Sequence, residues 1–179
     1  MEPFDVALLV LRLWLGTVMV AHGINHGRNL HGTAAWFETK GFRYARLNAL
    51  GSTIGEIVIG IGLIAGLFTT IAAAGLVATM VVAFGAIHRF AGFFVFARPD
   101  EGYEYVATLA FTAGALAMLG PGSASIDAVS GISSQIDGWA GAGLVLAGAA
   151  AGVAQLVTTW RKPLPTSEAT STESMESVL

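Results

Sequence analysis

The chain contains no cysteine. Disulfides, thiolate metal sites and thiol redox couples are therefore excluded, and any electron transfer must use a bound cofactor or a partner. Charge is scarce as well: Asp, Glu, Lys and Arg make up 12% of the 179 residues, where a soluble domain carries about 25%. The net charge of −3 leaves no basic surface suited to nucleic acid, so nucleic-acid partners are not expected. Signatures of self-contained chemistry are missing too. The sequence has no Gly-x-Ser-x-Gly elbow, no Fe–S ligand spacing, no flavin fingerprint and no pair of histidines placed mid-span to hold haem. No repeat of fixed period is evident, which speaks against an internally duplicated transporter.

What remains is apolar: 54% of the residues are hydrophobic, and they fall into long runs. The composition predicts an all-α membrane protein, since a chain this apolar must satisfy its backbone inside helices while its side chains face lipid. Five spans are expected, over about 6–24, 47–68, 71–87, 105–119 and 139–160. The acidic start Met1-Glu2-Pro3-Phe4-Asp5 differs from the basic beginning of a cleaved signal peptide. Only Thr69-Thr70 separates the second and third runs, which predicts a tight antiparallel hairpin. The fourth run is short for a span and is expected to recruit Tyr103 and Glu104 at headgroup level. Trp139 and Trp160 bracket the fifth, as an interfacial aromatic belt would place them. Residues 1–160 thus form one bundle, and the Ser-, Thr- and Glu-rich stretch 161–179 reads as a disordered cytoplasmic tail.

Arg28, Lys40, Arg43, Arg46, Arg89, Arg98, Arg161 and Lys162 all fall on one side of a five-span topology. Because basic loops stay in the cytoplasm, a cell-membrane protein with its N-terminus outside and its C-terminus inside is expected. Small-residue spacings at Gly51/Gly55, Gly62/Gly66 and Gly148/Gly152 suit close helix packing, within one chain or in a homo-oligomer.

Chemistry has to be sought in the few polar groups at membrane depth. Arg12 and Glu56 are the charged residues well inside the expected spans. Counted from the basic side at 1.5 Å per residue, each lies roughly 13 to 15 Å deep. An unpaired charge there costs roughly 2.5 to 3.5 kcal/mol, so the two are expected to pair. Such a pair either fixes helix register or forms the polar end of a pocket for a quinone-like carbonyl or hydroxyl. His22, His26 and His88 gather at the cytoplasmic span ends. Interfacial hydrogen bonding suits them better than metal or haem ligation, and no bound metal is expected. Phe90 to Phe96, with four phenylalanines, either lies in the interface or covers the cytoplasmic opening.

These residues carry a resemblance. Leu11-Arg12-Leu13 with Gly16, Met19, His22-Gly23, then Ala35-Trp36-Phe37-Glu38 and Gly41, is similar to the opening of the DoxX family. Glu56, Gly60, Gly62, Gly66-Leu67-Phe68-Thr69, Met80 and Ala83 continue it, and Glu104-Tyr105, Gly120-Pro121-Gly122 and Ser125-Ile126-Asp127 resemble the last helix and its exit. Two positions depart from the pattern: His26 stands where the family commonly has Lys, and Thr70 where it has Arg. The resemblance implies a four-helix DoxX-like transmembrane bundle, to which the fifth, C-terminal span is an addition. It also implies an accessory or quinone-interacting subunit of a membrane redox complex, in which other membrane or peripheral redox subunits carry the electron transfer. No cofactor is built in, and quinone is the ligand the resemblance suggests. On that reading Arg12, Glu56, His22, His26 and His88 are the candidate ligand-binding residues. A small transporter or lipid-handling protein, and a scaffold for membrane complex assembly, are the rival functions.

Overall fold

A computed structural model describes residues 1–96, 101–131 and 136–163. Helices α1 (Pro3–Arg28), α2 (Leu30–Thr39), α3 (Ala45–Ala65), α4 (Thr69–Ala86), α5 (Glu104–Leu119), α6 (Ile126–Ser130) and α7 (Gly138–Thr159) follow one another, with a 3-10 turn at His88–Phe90. The chain is an all-α membrane bundle: α1, α3, α4 and α7 are each long and apolar enough to cross a membrane, and α5 is a shorter apolar helix. Large apolar side chains such as Trp14, Val58, Phe111 and Leu146 stand exposed on the outside of the bundle, where only lipid makes them tolerable. Arg98 and the tail from residue 164 onward lie outside the described residues.

The helices occupy the expected runs, with one extension that matters for the site. Pro3 sits in the first turn of α1, where its missing N–H costs nothing. The helix then continues through Gly23 and Gly27 to Arg28, for 26 residues. At 1.5 Å per residue it exceeds a hydrocarbon core of about 30 Å by roughly two turns. The last turns therefore carry His22 and His26 past the apolar layer while still helical. Asn29 then accepts from Gly32 N at 2.9 Å and caps α2, a helix on the first loop that the sequence pattern did not reveal.

Close packing draws on Gly16, Gly23 and Gly60 as well as on Gly62, Gly66, Gly148 and Gly152 of the small-residue spacings. A Cβ on Gly16 would stand 2.6 Å from Gly60 O, and one on Gly60 would stand 2.6 Å from Gly16 O. Gly23 likewise packs on Thr53 and Ile57. These contacts fix α1 and α3 as antiparallel neighbours in which residue 16 faces 60 and residue 23 faces about 53–57. Gly148 packs on Ala74, Gly152 on Ala78 and Leu156 on Gly85, so α7 runs parallel to α4. That direction is the one a helix crossing after α5 must have. At its end, Arg43 N donates to Thr159 O at 2.6 Å, Arg161 N to Gly41 O at 2.9 Å, and Trp160 Nε1 to Lys40 O at 2.8 Å. These bonds gather the chain around residues 40–43 and 159–161 at one end, with Arg89 and Lys162 packed over Phe90.

The hairpin between α3 and α4 turns at the other end. Gly66 has φ 65° and Phe68 φ 48°, the latter an uncommon conformation for a residue with a side chain. Asp127, 1% exposed on α6, holds it: Phe68 N donates to Oδ1 at 2.7 Å and Thr69 N to Oδ2 at 2.8 Å. A carboxylate at this position also meets the positive end of the α4 dipole.

Candidate functional site: a cavity at the basic end of the bundle

The core of the bundle is sealed at mid-depth by Leu15, Met19, Leu63, Leu76 and Leu116, none more than 1% exposed. Between that layer and the basic end the helices splay around a cavity of about 510 Å³, within the range of about 300–1,000 Å³ usual for small-molecule sites. Its wall is mostly apolar and draws on α1 (Val18, Met19), α2 (Trp36, Phe37), α4 (Met80, Ala83) and α5 (Leu109). Gly51 and Gly55 line it from α3, and a Cβ at either would meet nothing within 4 Å. Their expected role as a helix contact is therefore replaced by one of leaving space.

Polar groups enter this wall at three places. On one side Ser52 Oγ donates to Glu56 Oε1 at 2.7 Å, and His26 Nδ1 lies 3.2 Å from both Ser52 Oγ and Glu56 Oε2. With the Ser52 proton committed to the carboxylate, the His26 contact has Nδ1–H as donor. Glu56 is 5% exposed, and its Oε2 accepts no hydrogen bond from the described residues. Opposite, His88 Nδ1 stands 2.5 Å from Glu101 O and Nε2 stands 2.9 Å from Tyr105 Oη. A carbonyl can only accept, so Nδ1 carries the proton, and in the neutral ring Nε2 accepts from the Tyr105 hydroxyl. At the mouth, Asn48 Oδ1 accepts from Gln155 Nε2 at 3.1 Å while Asn48 Nδ2 donates to Arg43 O at 2.8 Å, which ties α7 to the start of α3. Among the described residues, no Lys or Arg lines the cavity.

Four of the candidate residues, His22, His26, Glu56 and His88, thus line one cavity. Arg12 does not, and the expected Arg12–Glu56 pair does not form. Arg12 is fully buried at the far end of α1, where Nη2 donates to Ala124 O, Asp127 attracts the guanidinium, and Nη1 packs against Gly66. The depth count placed the exit of α1 at His22, whereas the helix runs on to Arg28. Arg12 is consequently roughly 9 Å farther from the basic end than that count implied. The packing register sets Glu56 opposite residues 20–22 instead. His26, where the family pattern has Lys, turns out to face Glu56, so a cation-capable group is kept at that position.

Sequence reasoning placed Ser52 on the helical face of Glu56, and the resemblance included Tyr105 and Asp127, but none of the three was given a partner or a role, and Asn48 and Gln155 were not singled out. The contacts Tyr105–His88, Asp127–Phe68 and Asn48–Gln155 join residues 17 or more positions apart. The four phenylalanines of the loop after α4 stack among themselves, on Tyr103 and on Trp160, and none of them lines the cavity. Among the described residues, no three His, Asp or Glu side chains converge as a metal ligand set.

Fold and site together define a multi-pass α-helical membrane protein with an amphipathic cavity open toward its basic end. Residues 7–89, from α1 to the 3-10 turn, match the DoxX family. Helices α5 to α7, which complete the cavity with Tyr105, Leu109, Gln155 and Thr159, lie beyond the matched segment. No curated protein and no solved structure matches the chain.

Proposed function

We propose that this protein is a quinone-interacting accessory subunit of a membrane redox complex, with its basic end in the cytoplasm. The observation that carries the proposal is the cavity itself: an apolar, partly aromatic chamber inside a membrane bundle, with the Ser52–His26–Glu56 group on one wall and Tyr105–His88 on another. A quinone headgroup asks for that combination, flat apolar walls for the ring and polar groups at its oxygens. When bound, a quinone would supply reversible uptake of electrons and protons. Met80, Phe37 and Leu109 would hold the ring, and Glu56 and His26 would meet one of its oxygens. Electrons arrive from or leave to a partner subunit.

Titration of the purified protein with a short-chain quinone, followed by quenching of tryptophan fluorescence, tests this, since Trp36 is in the wall. Saturable quenching is expected for the wild type. Glu56→Leu removes the polar end and is expected to weaken binding about 10-fold, the equivalent of one charged-group hydrogen bond. Gly55→Phe fills the cavity and should abolish binding while leaving the unfolding midpoint near that of the wild type. Equal quenching of all three proteins would show that the quinone binds elsewhere.

A further inference from the structure

The cavity holds a buried carboxylate oxygen that accepts no hydrogen bond from the described residues, and one titratable neighbour leads from it toward water. Glu56 Oε2 lies 3.2 Å from His26 Nδ1, and side-chain exposure rises from 7% at Glu56 to 21% at His26. His22, exposed at the same end of α1, has its ring centroid 6.5 Å from that of His26. In the opposite direction the layer of Leu15, Met19, Leu63, Leu76 and Leu116 separates Glu56 from the end that holds Arg12 and Asp127. Among the described residues, the other groups facing the cavity offer no competing route. Tyr105 and His88 bond to each other and to Glu101 O, Tyr44 lies exposed at the same basic end, Asn48, Gln155 and Thr159 do not titrate, and neither α2 nor α4 contributes an ionisable side chain to the wall.

From this we infer that Glu56 and His26 form a one-ended proton path, through which protons pass between the cavity and water at the basic end of the bundle. The step balances on these atoms alone. His26 begins with its proton on Nδ1, donated to Ser52 Oγ, with Glu56 Oε2 3.2 Å from the same nitrogen, and takes a second proton from water at Nε2. The Nδ1–H bond then breaks as an O–H bond forms at Glu56 Oε2, leaving a neutral imidazole protonated at Nε2 and a carboxylic acid facing the cavity. Release runs the same steps backward. Ser52 acts as a positioning residue that fixes Oε1 and leaves Oε2 as the acceptor. The use of the path for a bound quinone rests on the function proposed above, whereas the path itself does not.

The test therefore leaves quinone out. Infrared difference spectra of the full chain in phosphatidylcholine vesicles, recorded across pH steps and on exchange from H2O to D2O, report the protonated carboxyl stretch. A band lost in Glu56→Gln identifies the residue. Its deuterium shift is expected to be complete within mixing in the wild type, at least tenfold slower in His26→Leu and His26→Gln, and unchanged in Tyr105→Phe. Thermal unfolding midpoints show which His26 variant is folded. Wild-type exchange rates in the folded His26 variant would overturn the path, and so would the absence of a Glu56 band at every pH at which the protein stays folded. Failure of quinone titration alongside intact exchange would count against the proposed function only.

Discussion

Replacing Asp127 with Ala is expected to destabilise the protein by about 3–5 kcal/mol, the range for stripping one partner from a buried charged group. The substitution acts twice. It removes the carboxylate that takes Phe68 N and Thr69 N at 2.7 and 2.8 Å, freeing a residue held at φ 48° to leave that conformation. It also leaves Arg12, fully buried, with one hydrogen bond to Ala124 O and no counter-charge among the described residues. Thermal unfolding in detergent should show a large drop for Asp127→Ala and a smaller one for Arg12→Leu. The double variant should lose less than the sum, because the stranded charge is gone. The pair Arg12→Leu and Glu56→Leu should instead be additive, since the packing register separates those residues by roughly 12–15 Å along the bundle. Coupling between Arg12 and Glu56 would restore the pairing expected from the sequence and contradict the structure.

Gly60→Leu is expected to cost about 3 kcal/mol or more, at the upper end of overpacking effects, because the obstacle is backbone. A Cβ there meets Gly16 O at 2.6 Å, Val20 Cγ2 at 2.6 Å and Val20 N at 2.8 Å, so α1 and α3 must separate. Gly55→Leu, five residues earlier on the same helix, should be tolerated, because its Cβ meets nothing within 4 Å. Yield of folded protein and the unfolding midpoint measure both. A Gly60→Leu protein as stable as the Gly55→Leu protein would mean that α1 and α3 are not in this contact.

The contrast between these glycines shows what the sequence could convey. Apolar runs give helices, and α3, α4, α5 and α7 lie where those runs lie because a chain in lipid has few other ways to satisfy its backbone. Small-residue spacing is a weaker signal: Gly148 and Gly152 do pack on α4, while Gly51 and Gly55 border empty space. The spacing is the same, and only the neighbouring helix decides. Glu56 and the histidines were legible as polar groups in apolar surroundings, yet their partners were not. The Glu56–His26 contact depends on α1 remaining helical past two glycines, which tertiary contact with Thr53 and Ile57 secures. The role of Asp127 was hidden for a different reason. The residue belongs to a five-residue helix that folds back onto the Gly66–Thr69 turn, a long-range contact that no periodicity encodes. The resemblance rests on Arg12, Gly66 to Thr69 and Ser125 to Asp127 as separate stretches, and the fold brings them together at one end, away from the cavity.

The quinone content of the full chain purified gently from its native membranes tests the central claim most directly, read by mass spectrometry beside the Gly55→Phe variant prepared in the same way. Wild-type protein is expected to carry quinone approaching one molecule per chain, together with copurifying oxidoreductase subunits, and Gly55→Phe to retain the subunits but lose the quinone. A wild type without quinone, carrying a lipid or another solute in its place and no redox partner, would contradict the account and favour a transport or lipid-handling role. Equal quinone in both proteins would contradict the assignment of the cavity.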